Sequence, residues 1–173
     1  MAKFLTLNTH SWMEDEQEKK LDQLAERILQ EKYDVICLQE VNQEMESEQV
    51  VQAPFYHAVD DAIAIHKDHF VYCLVERLVE KCLIYHWSWA YNHIGFDRFH
   101  EGVAILSLNP LKASELLVSE TNDPTDYHTR KVLLAEIEVA GRLVTVASCH
   151  LSWWDKGFQE EWVQVDRKST RLN

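Results

Sequence analysis

Apolar and polar positions divide the chain into short strands and amphipathic helices. Residues 3–8 form a short apolar run, and residues 34–40 form a nearly unbroken one that ends in a carboxylate. Between them, residues 15–31 carry apolar side chains at helical spacing, with Glu and Lys on the remaining face. Strand, helix and strand in this order predict a crossover unit. Such a unit places Asn8 and Glu40 at corresponding strand ends.

The rest of the chain continues this alternation. Residues 41–66 are polar, contain Pro54 and predict a loop, whereas residues 67–84 carry a wide apolar stripe and predict a helix. We therefore predict one α+β domain with a strand-rich core. Further strands are predicted over residues 85–91, 101–108, 130–140 and 143–149, with a hairpin at Gly141-Arg142 joining the last two.

Composition narrows the classes of partner. Of the 173 residues, 46% are hydrophobic and 27% charged, as in an ordinary globular domain, but the net charge is −12. A chain this acidic has no basic surface for long nucleic acids or for anionic membranes. A bound metal ion could still supply positive charge locally. The charge therefore favours a small phosphate ester over nucleic acid as the ligand.

Export and membrane signals are absent from the sequence. No apolar stretch is long enough to span a bilayer, and the N-terminal apolar run is too short for a signal peptide. The cysteines form no CxxC pair and lie in apolar runs, so we expect buried free thiols in a reducing compartment. We predict a cytoplasmic protein. The cysteines are Cys37, Cys73, Cys82 and Cys149.

The last segment, residues 166–173, differs from what precedes it. It is basic and does not continue the apolar periodicity. Its back-translation resembles a short-read sequencing adapter, although a natural basic tail is the alternative. We therefore set residues 166–173 apart and expect residues 1–165 to be a truncated domain.

Three apolar strands end in polar, metal-competent residues, and a fourth begins with one. Asn8, Glu40 and His150 end the first three, and Glu101 begins the fourth. Aligned strand ends bring such side chains together at one edge of a sheet. Magnesium prefers oxygen ligands, commonly one or two carboxylates with substrate phosphate and water. Attack of water on phosphorus then requires a base or a positioned imidazole.

These four segments resemble the motifs of the endonuclease/exonuclease/phosphatase superfamily, in matching order over nearly all of residues 3–152. The resemblance implies a DNase I-like fold, here a partial four-layer α/β sandwich of two packed mixed sheets flanked by helices. It also implies that an Asp-x-Asn pair and an Asp-His pair should follow His150. Because the chain lacks them, we expect this polypeptide to be inactive.

The resemblance also implies roles for the matched residues. Glu40 would be the principal Mg²⁺ ligand, with Mn²⁺ as an alternative ion, and Asn8 would orient the metal-side network and contribute to the metal site. Glu101 would support the active-site histidine. That histidine, His150, would contact the scissile phosphate.

Four other polar residues are candidates for substrate binding. Arg130 precedes a strand where relatives keep a basic residue near the phosphate, although a solvated strand-end charge is the alternative. His10 follows Asn8 and is a candidate for a substrate contact or a structural role. Asp97 and Arg98 are candidates for contacts to substrate hydroxyls or phosphate, with a surface ion pair as the alternative.

The aromatic residues divide into two groups. Trp87 and Trp89 share one strand face and are predicted in the core. Trp153 and Trp154 follow His150 and are candidates for a wall that stacks on a sugar ring or base. The other histidines show no HExxH-like spacing and are predicted to be structural or on the surface: His57, His66, His69, His86, His93, His100 and His128.

The leading hypothesis is a magnesium-dependent phosphatase or phosphodiesterase that acts on a small phosphorylated substrate such as a sugar phosphate. The opening segment and the Glu101 segment resemble a subgroup that includes maltose 6-phosphate phosphatases. The alternatives are a nuclease on DNA or RNA, a sphingomyelinase-like phosphodiesterase and a non-catalytic fragment. We expect no membrane association and no obligate protein partner.

Overall fold

The computed structural model describes residues 1–59, 62–154 and 157–169, whose strands form two sheets. In the first sheet, only the pairing of β1 with β2 is parallel. The second sheet is antiparallel in the described residues. The first sheet has the order β1 (Phe4–Asn8), β2 (Val35–Glu44), β4 (Phe99–Ser107), β3 (His86–Gly95), and the second has the order β5 (Leu111–Leu117), β6 (Lys131–Val139), β7 (Arg142–Ser148).

Helices α1 (Gln17–Glu31) and α2 (Phe70–Glu80) cover one face of the first sheet, and a 3₁₀ turn (Ser11–Met13) precedes α1. Their apolar side chains recur every three or four residues, so each helix presents one stripe to the sheet. Burial of one such Leu or Ile contributes about 1.5–3 kcal/mol. The fully buried members of this core include Leu21, Ile28, Leu74, Leu78, Trp87, Trp89 and Leu106.

The opposite face of the first sheet packs against the second sheet. Successive side chains of a strand point to opposite faces, so Ile36 and Leu38 face the helices whereas Val35 joins the core between the sheets. This sheet is therefore buried on both faces, which explains the nearly unbroken apolar runs of its central strands. The core between the sheets includes Val35, Ala90, Val103, Ile105, Leu133, Ala135 and Ile137.

The predicted crossover unit is confirmed. β1, α1 and β2 follow one another, and Asn8 pairs with Gln39 in the parallel ladder. The predicted hairpin is also present, but its turn lies one residue earlier. Ala140 and Gly141 both have positive φ, 52° and 75°, as a tight hairpin turn requires.

Three expectations need correction. β5 follows Asn109-Pro110, where no strand was predicted, and β2 continues to Glu44 into the segment predicted as loop. The thiols of Cys37, Cys73 and Cys149 are partly buried, and Cys82 is exposed because it lies beyond the end of α2. All four cysteines are free, as predicted.

The C-terminal helix α3 (Phe158–Ser169) runs into the segment that the sequence analysis set apart. Regular structure therefore continues past residue 165, contrary to the expectation from periodicity. Residues 170–173 lie outside the described residues, and the adapter origin of residues 166–173 stays a prediction. Within the described ranges, no helix combines the length and hydropathy needed to cross a bilayer.

Candidate active site

A β-bulge shapes the end of β2 that carries Glu40. Leu38 pairs with Ala104 and Val41 with Gly102, so two residues of β2 lie opposite one residue of β4. Glu40 adopts a φ of 53°, a left-handed conformation that is unfavourable for a residue with a side chain. Bulges of this kind redirect a side chain out of the regular alternation.

The segment after β1 stabilises this bulge. The hydroxyls of Thr9 and Ser11 donate hydrogen bonds to the backbone carbonyl of Glu40, at 3.2 and 2.5 Å. Asn8 donates from Nδ2 to Glu40 Oε1 at 2.7 Å, while its Oδ1 accepts from the backbone N–H of His10 at 3.1 Å. Asn8 therefore presents its amide N–H to Glu40 and orients that carboxylate. Sequence reasoning identified Asn8 but missed Thr9 and Ser11.

A second bulge, in β3, brings His93 opposite Glu101. Tyr91 pairs with Gly102 and His93 with Glu101, which leaves Asn92 without a counterpart on β4. His93 Nε2 lies 3.5 Å from Glu101 Oε1, and both side chains are buried. The sequence predicted a structural or surface position for His93 and a contact of Glu101 with His150. In the structure Glu101 faces His93, which is neutral because its pKa is lowered.

Two glycines make room for this arrangement. A Cβ on Gly102 would lie 2.0 Å from the carbonyl oxygen of Ala90, so no larger residue fits without moving the backbone. A Cβ on Gly95 would lie 2.9 Å from Glu101 Oε2. Gly95 therefore leaves the space that the carboxylate of Glu101 occupies.

The carboxylates of Glu40 and Glu101 face the same cleft. Burial and, to a smaller extent, the nearby negative charge of Glu40 raise the pKa of Glu101 to about 7, against the opposing effect of Arg130. Two acids that interact in this way form a site of concentrated negative potential, which a cation would relieve.

Arg130, a predicted phosphate ligand, is buried and faces His93. Its Nη1 donates to His93 Nδ1 at 3.0 Å and to the carbonyl of Tyr127 at 2.7 Å. Because a guanidinium can only donate, this contact favours the tautomer of His93 with its proton on Nε2, toward Glu101, over the one that would donate from Nδ1 to the carbonyl of Thr129 at 3.3 Å. Desolvation and, to a smaller extent, the charge of Arg130 lower the pKa of His93 to about 4.

His150 approaches Glu40 from β7. Its Nε2 lies 3.6 Å from Glu40 Oε1. Burial lowers the pKa of His150, and the negative charge of Glu40 opposes this effect. Ser148 joins the two sheets nearby, since its hydroxyl donates to the carbonyl of Leu38 at 3.2 Å and contacts Gln39 Nε2 at 3.4 Å. The predicted convergence of Asn8, Glu40 and His150 is therefore present.

A cleft with a volume of about 630 Å³ opens beside these groups. His10 and Asp97, two of the candidates for substrate contacts, line it. The aromatic residues Phe96 and Tyr127 also line it and were not among the sequence candidates. The polar residues that line the cleft include Asn8, Glu40, His93, Glu101 and Thr125.

Three other predicted substrate ligands lie elsewhere. Arg98 pairs with Glu44 and lines a separate groove, so the surface ion pair is confirmed with Glu44 rather than Asp97 as its partner. Trp153 and Trp154 are exposed but do not line the cleft, and Trp154 packs against Phe158 of α3 at 5.1 Å between ring centroids.

The donor set fits a hard divalent cation. In the described residues, no group of three or more His, Cys, Asp and Glu side chains is arranged to hold a metal ion. Hard divalent cations are bound through carboxylate oxygens, often one or two, together with waters. Glu40, with Glu101 close by, supplies such oxygens.

The two packed sheets, the helices on one outer face and the acidic cleft at the sheet edge define an α+β sandwich of the DNase I-like type. The chain belongs to the Endonuclease/Exonuclease/phosphatase family, whose profile matches residues 13–173. Members of this family hydrolyse phosphoester bonds and generally use divalent metals. Comparison with curated proteins gives no significant match.

Solved structures show the same fold. An endonuclease/exonuclease/phosphatase family protein from Leptotrichia buccalis superposes with a TM-score of 0.84 at 27% identity, over 96% of this chain and 61% of that chain. This chain therefore spans less than two thirds of that relative. A Beutenbergia cavernae endonuclease/exonuclease/phosphatase gives a TM-score of 0.63 at 16% identity, covering 94% and 42% of the two chains. D. rerio TDP2 complexed with a single-strand DNA product gives 0.53 at 13%, covering 98% and 52%.

Proposed function

We propose that the protein is a magnesium-dependent, cytoplasmic phosphoester hydrolase that acts on a small phosphorylated substrate such as a sugar phosphate. One observation carries the proposal. Asn8, Glu40 and His150 come from three strands distant in sequence, yet their side chains meet at one carboxylate oxygen, Glu40 Oε1. Such convergence of an amide, a carboxylate and an imidazole supports a metal-assisted site.

Each residue has a role that follows from its contacts. Asn8 fixes one oxygen of Glu40, and the bulge aims that carboxylate into the cleft. A bound Mg²⁺ would be held by Glu40, with Glu101 nearby, and would supply positive charge for the oxygens of the phosphoryl group. Burial lowers the pKa of His150, and one of its ring N–H groups would donate a hydrogen bond to a non-bridging phosphate oxygen.

The substrate class follows from the charge of the cleft. Among the described residues that line it, none is Lys or Arg, and the whole chain has a net charge of −12. Nucleic-acid sites usually carry a basic surface that contacts successive phosphates. A small ester, whose single phosphate the metal ion neutralises, suits this cleft better than DNA or RNA.

The first test measures metal binding. Mn²⁺ is titrated into the chain and the free ion is followed by electron paramagnetic resonance, with Mg²⁺ as competitor. Glu40→Gln removes the ligand charge and keeps the shape, so we expect at least a tenfold weaker Kd. Glu136→Gln, on β6 outside the cleft, is the matched control. Equal affinity in Glu40→Gln and wild type would refute the assignment.

The second test measures hydrolysis. Inorganic phosphate release from a panel of sugar phosphates with Mg²⁺ is assayed in a protein that also carries the Asp-x-Asn and Asp-His segments, because this chain without them is expected to be inactive. We expect release that falls by about a hundredfold or more in Glu40→Gln. Cleavage of plasmid DNA with no release from any sugar phosphate would select a nuclease instead.

A further inference from the structure

The β3–β4 hairpin presents an aromatic side chain to solvent at the mouth of the cleft. Its turn runs from Gly95 to Arg98, whose N–H donates to the carbonyl of Gly95 at 3.1 Å. Phe96 and Asp97, at the two central positions, have φ of 54° and 53°. Asn and Gly are the usual residues there, because a left-handed conformation is unfavourable for bulky side chains. Phe96 nevertheless stays 63% exposed, so it gains little from burial at this position.

A second aromatic residue, Tyr127, lines the same cleft and is 54% exposed. The loop that carries it is firmly held. Arg130 Nη1 donates to the carbonyl of Tyr127 at 2.7 Å, and the N–H of Ile94 donates to the carbonyl of Pro124 at 2.7 Å. The ring of His128 packs against Tyr127 at 3.9 Å between centroids. Tyr127 is thus positioned in advance of any ligand.

The polar groups beside these rings suit hydroxyls. Asp97 and Thr125 line the cleft, and the described lining includes no Lys or Arg. A carboxylate accepts hydrogen bonds from hydroxyls, whereas it repels a second phosphate. Aromatic rings bury the apolar faces of a ring-shaped ligand, and a few polar groups orient it. This combination favours an uncharged, polyhydroxylated ring.

We propose that Phe96, Asp97 and Tyr127 form a subsite for the sugar ring of the substrate, next to the phosphate site at Glu40. The link to phosphate rests on the proposed function. The subsite itself rests on the cleft, the exposed rings and the charge of the lining. Sugar specificity would then lie in the β3–β4 turn and the loop that carries Tyr127, which are outside the four motifs that identify the family.

Binding tests the subsite without any reaction. Saturation-transfer NMR is recorded with glucose and, separately, with adenosine. Wild type should bind glucose, and Phe96→Ala should lose the signal while Phe96→Tyr keeps it. Phe4→Ala is the control, because Phe4 is 55% exposed on β1, outside the cleft. Circular dichroism checks that each variant is folded. If Phe96→Ala does not fold, Tyr127→Ala takes its place as the cleft variant.

Two results would overturn the subsite. One is glucose binding that is absent from wild type or unchanged in a folded cleft variant. The other is Phe96-dependent binding of adenosine that is tighter than that of glucose. This result would show that Phe96 and Tyr127 bind a nucleobase instead of a sugar ring.

Kinetics separate the subsite from the proposed function. In the protein that also carries the Asp-x-Asn and Asp-His segments, KM is compared for glucose 6-phosphate and for methyl phosphate, which has no ring. Phe96→Ala should raise KM for glucose 6-phosphate roughly fivefold more than KM for methyl phosphate, the size expected for one ring contact. Equal effects on both esters would overturn the subsite and leave the hydrolase standing. Phe96-dependent glucose binding without hydrolysis of either ester would support the subsite and overturn the proposed hydrolase function.

Discussion

The two ends of the first sheet are built from the same strands but differ in regularity. At one end, Val35 and His86 both pair with Ser107, and no register shift interrupts the ladders. At the other end, a bulge lies on either side of β4. The bulge of β2 lies opposite Val103, and that of β3 lies between the residues that pair with Gly102 and Glu101. Regular alternation sends neighbouring side chains to opposite faces, which suits a core. The bulges break that alternation where polar side chains must meet in one cleft.

The largest expected effect comes from filling the space at the irregular end. Gly102→Ala would place a Cβ 2.0 Å from the carbonyl oxygen of Ala90. We expect a loss of about 3 kcal/mol or more in the free energy of unfolding, since the backbone must move. Urea unfolding measures it. Gly141→Ala is the control, because that Cβ would meet nothing within 4 Å and only its positive φ costs energy, about 1 kcal/mol.

A substitution at the regular end of the sheet should change the free energy of unfolding and leave metal binding unaltered. Ile36 is fully buried against the helices, and Ile36→Ala should lower the free energy of unfolding by about 3 kcal/mol through lost burial and a cavity. Because Ile36 lies outside the cleft, Mn²⁺ affinity of the folded protein should not change. Weakened Mn²⁺ binding in this variant would show that the two ends are not independent.

A smaller effect is expected from the bulge support. Ser11→Ala removes the hydroxyl that donates to the carbonyl of Glu40 at 2.5 Å. The partly buried carbonyl keeps its contact with Thr9, so we expect a loss of about 1 kcal/mol in stability, together with weaker Mn²⁺ binding. Ser114→Ala, at an exposed position of β5, should change neither quantity. Unaltered stability in Ser11→Ala would show that the bulge does not need this hydroxyl.

The smallest effect is a change in pH dependence. The pKa of Glu101 is raised from 4.5 to about 7, so the folded state keeps a proton that the unfolded chain has released between these values. This contribution is present below pH 4.5 and is lost as the pH rises to about 7. His93 acts in the opposite direction, because its pKa is lowered from 6.5 to about 4. The stability that neutral His93 contributes to the folded state is lost as the pH falls from 6.5.

The difference between wild type and Glu101→Gln isolates the carboxyl. Without metal, wild-type stability relative to Glu101→Gln should decline from pH 4.5 to pH 7, as followed by urea unfolding at several pH values. Glu136→Gln provides the control at an ordinary surface carboxyl. Parallel pH profiles for wild type and Glu101→Gln would contradict the raised pKa.

Sequence alone located Asn8, Glu40, Glu101 and His150, because each stands at the end of an apolar run and the runs follow a family order. The periodicity of the sequence also predicted both core helices and the β6–β7 hairpin. It missed β5, whose alternation is irregular, and it did not identify Glu44 on the distant strand β2 as the ion-pair partner of Arg98.

The helical and strand periodicities of the sequence specify the elements and the types of residue at their ends, because these periodicities are local properties. The contact of Glu101 with His93, the burial of Arg130 behind them and the shared cleft of Phe96 and Tyr127 are visible only in the folded chain. These relations depend on strand register and bulges. Register is set by contacts between segments far apart in the chain, which no local pattern encodes.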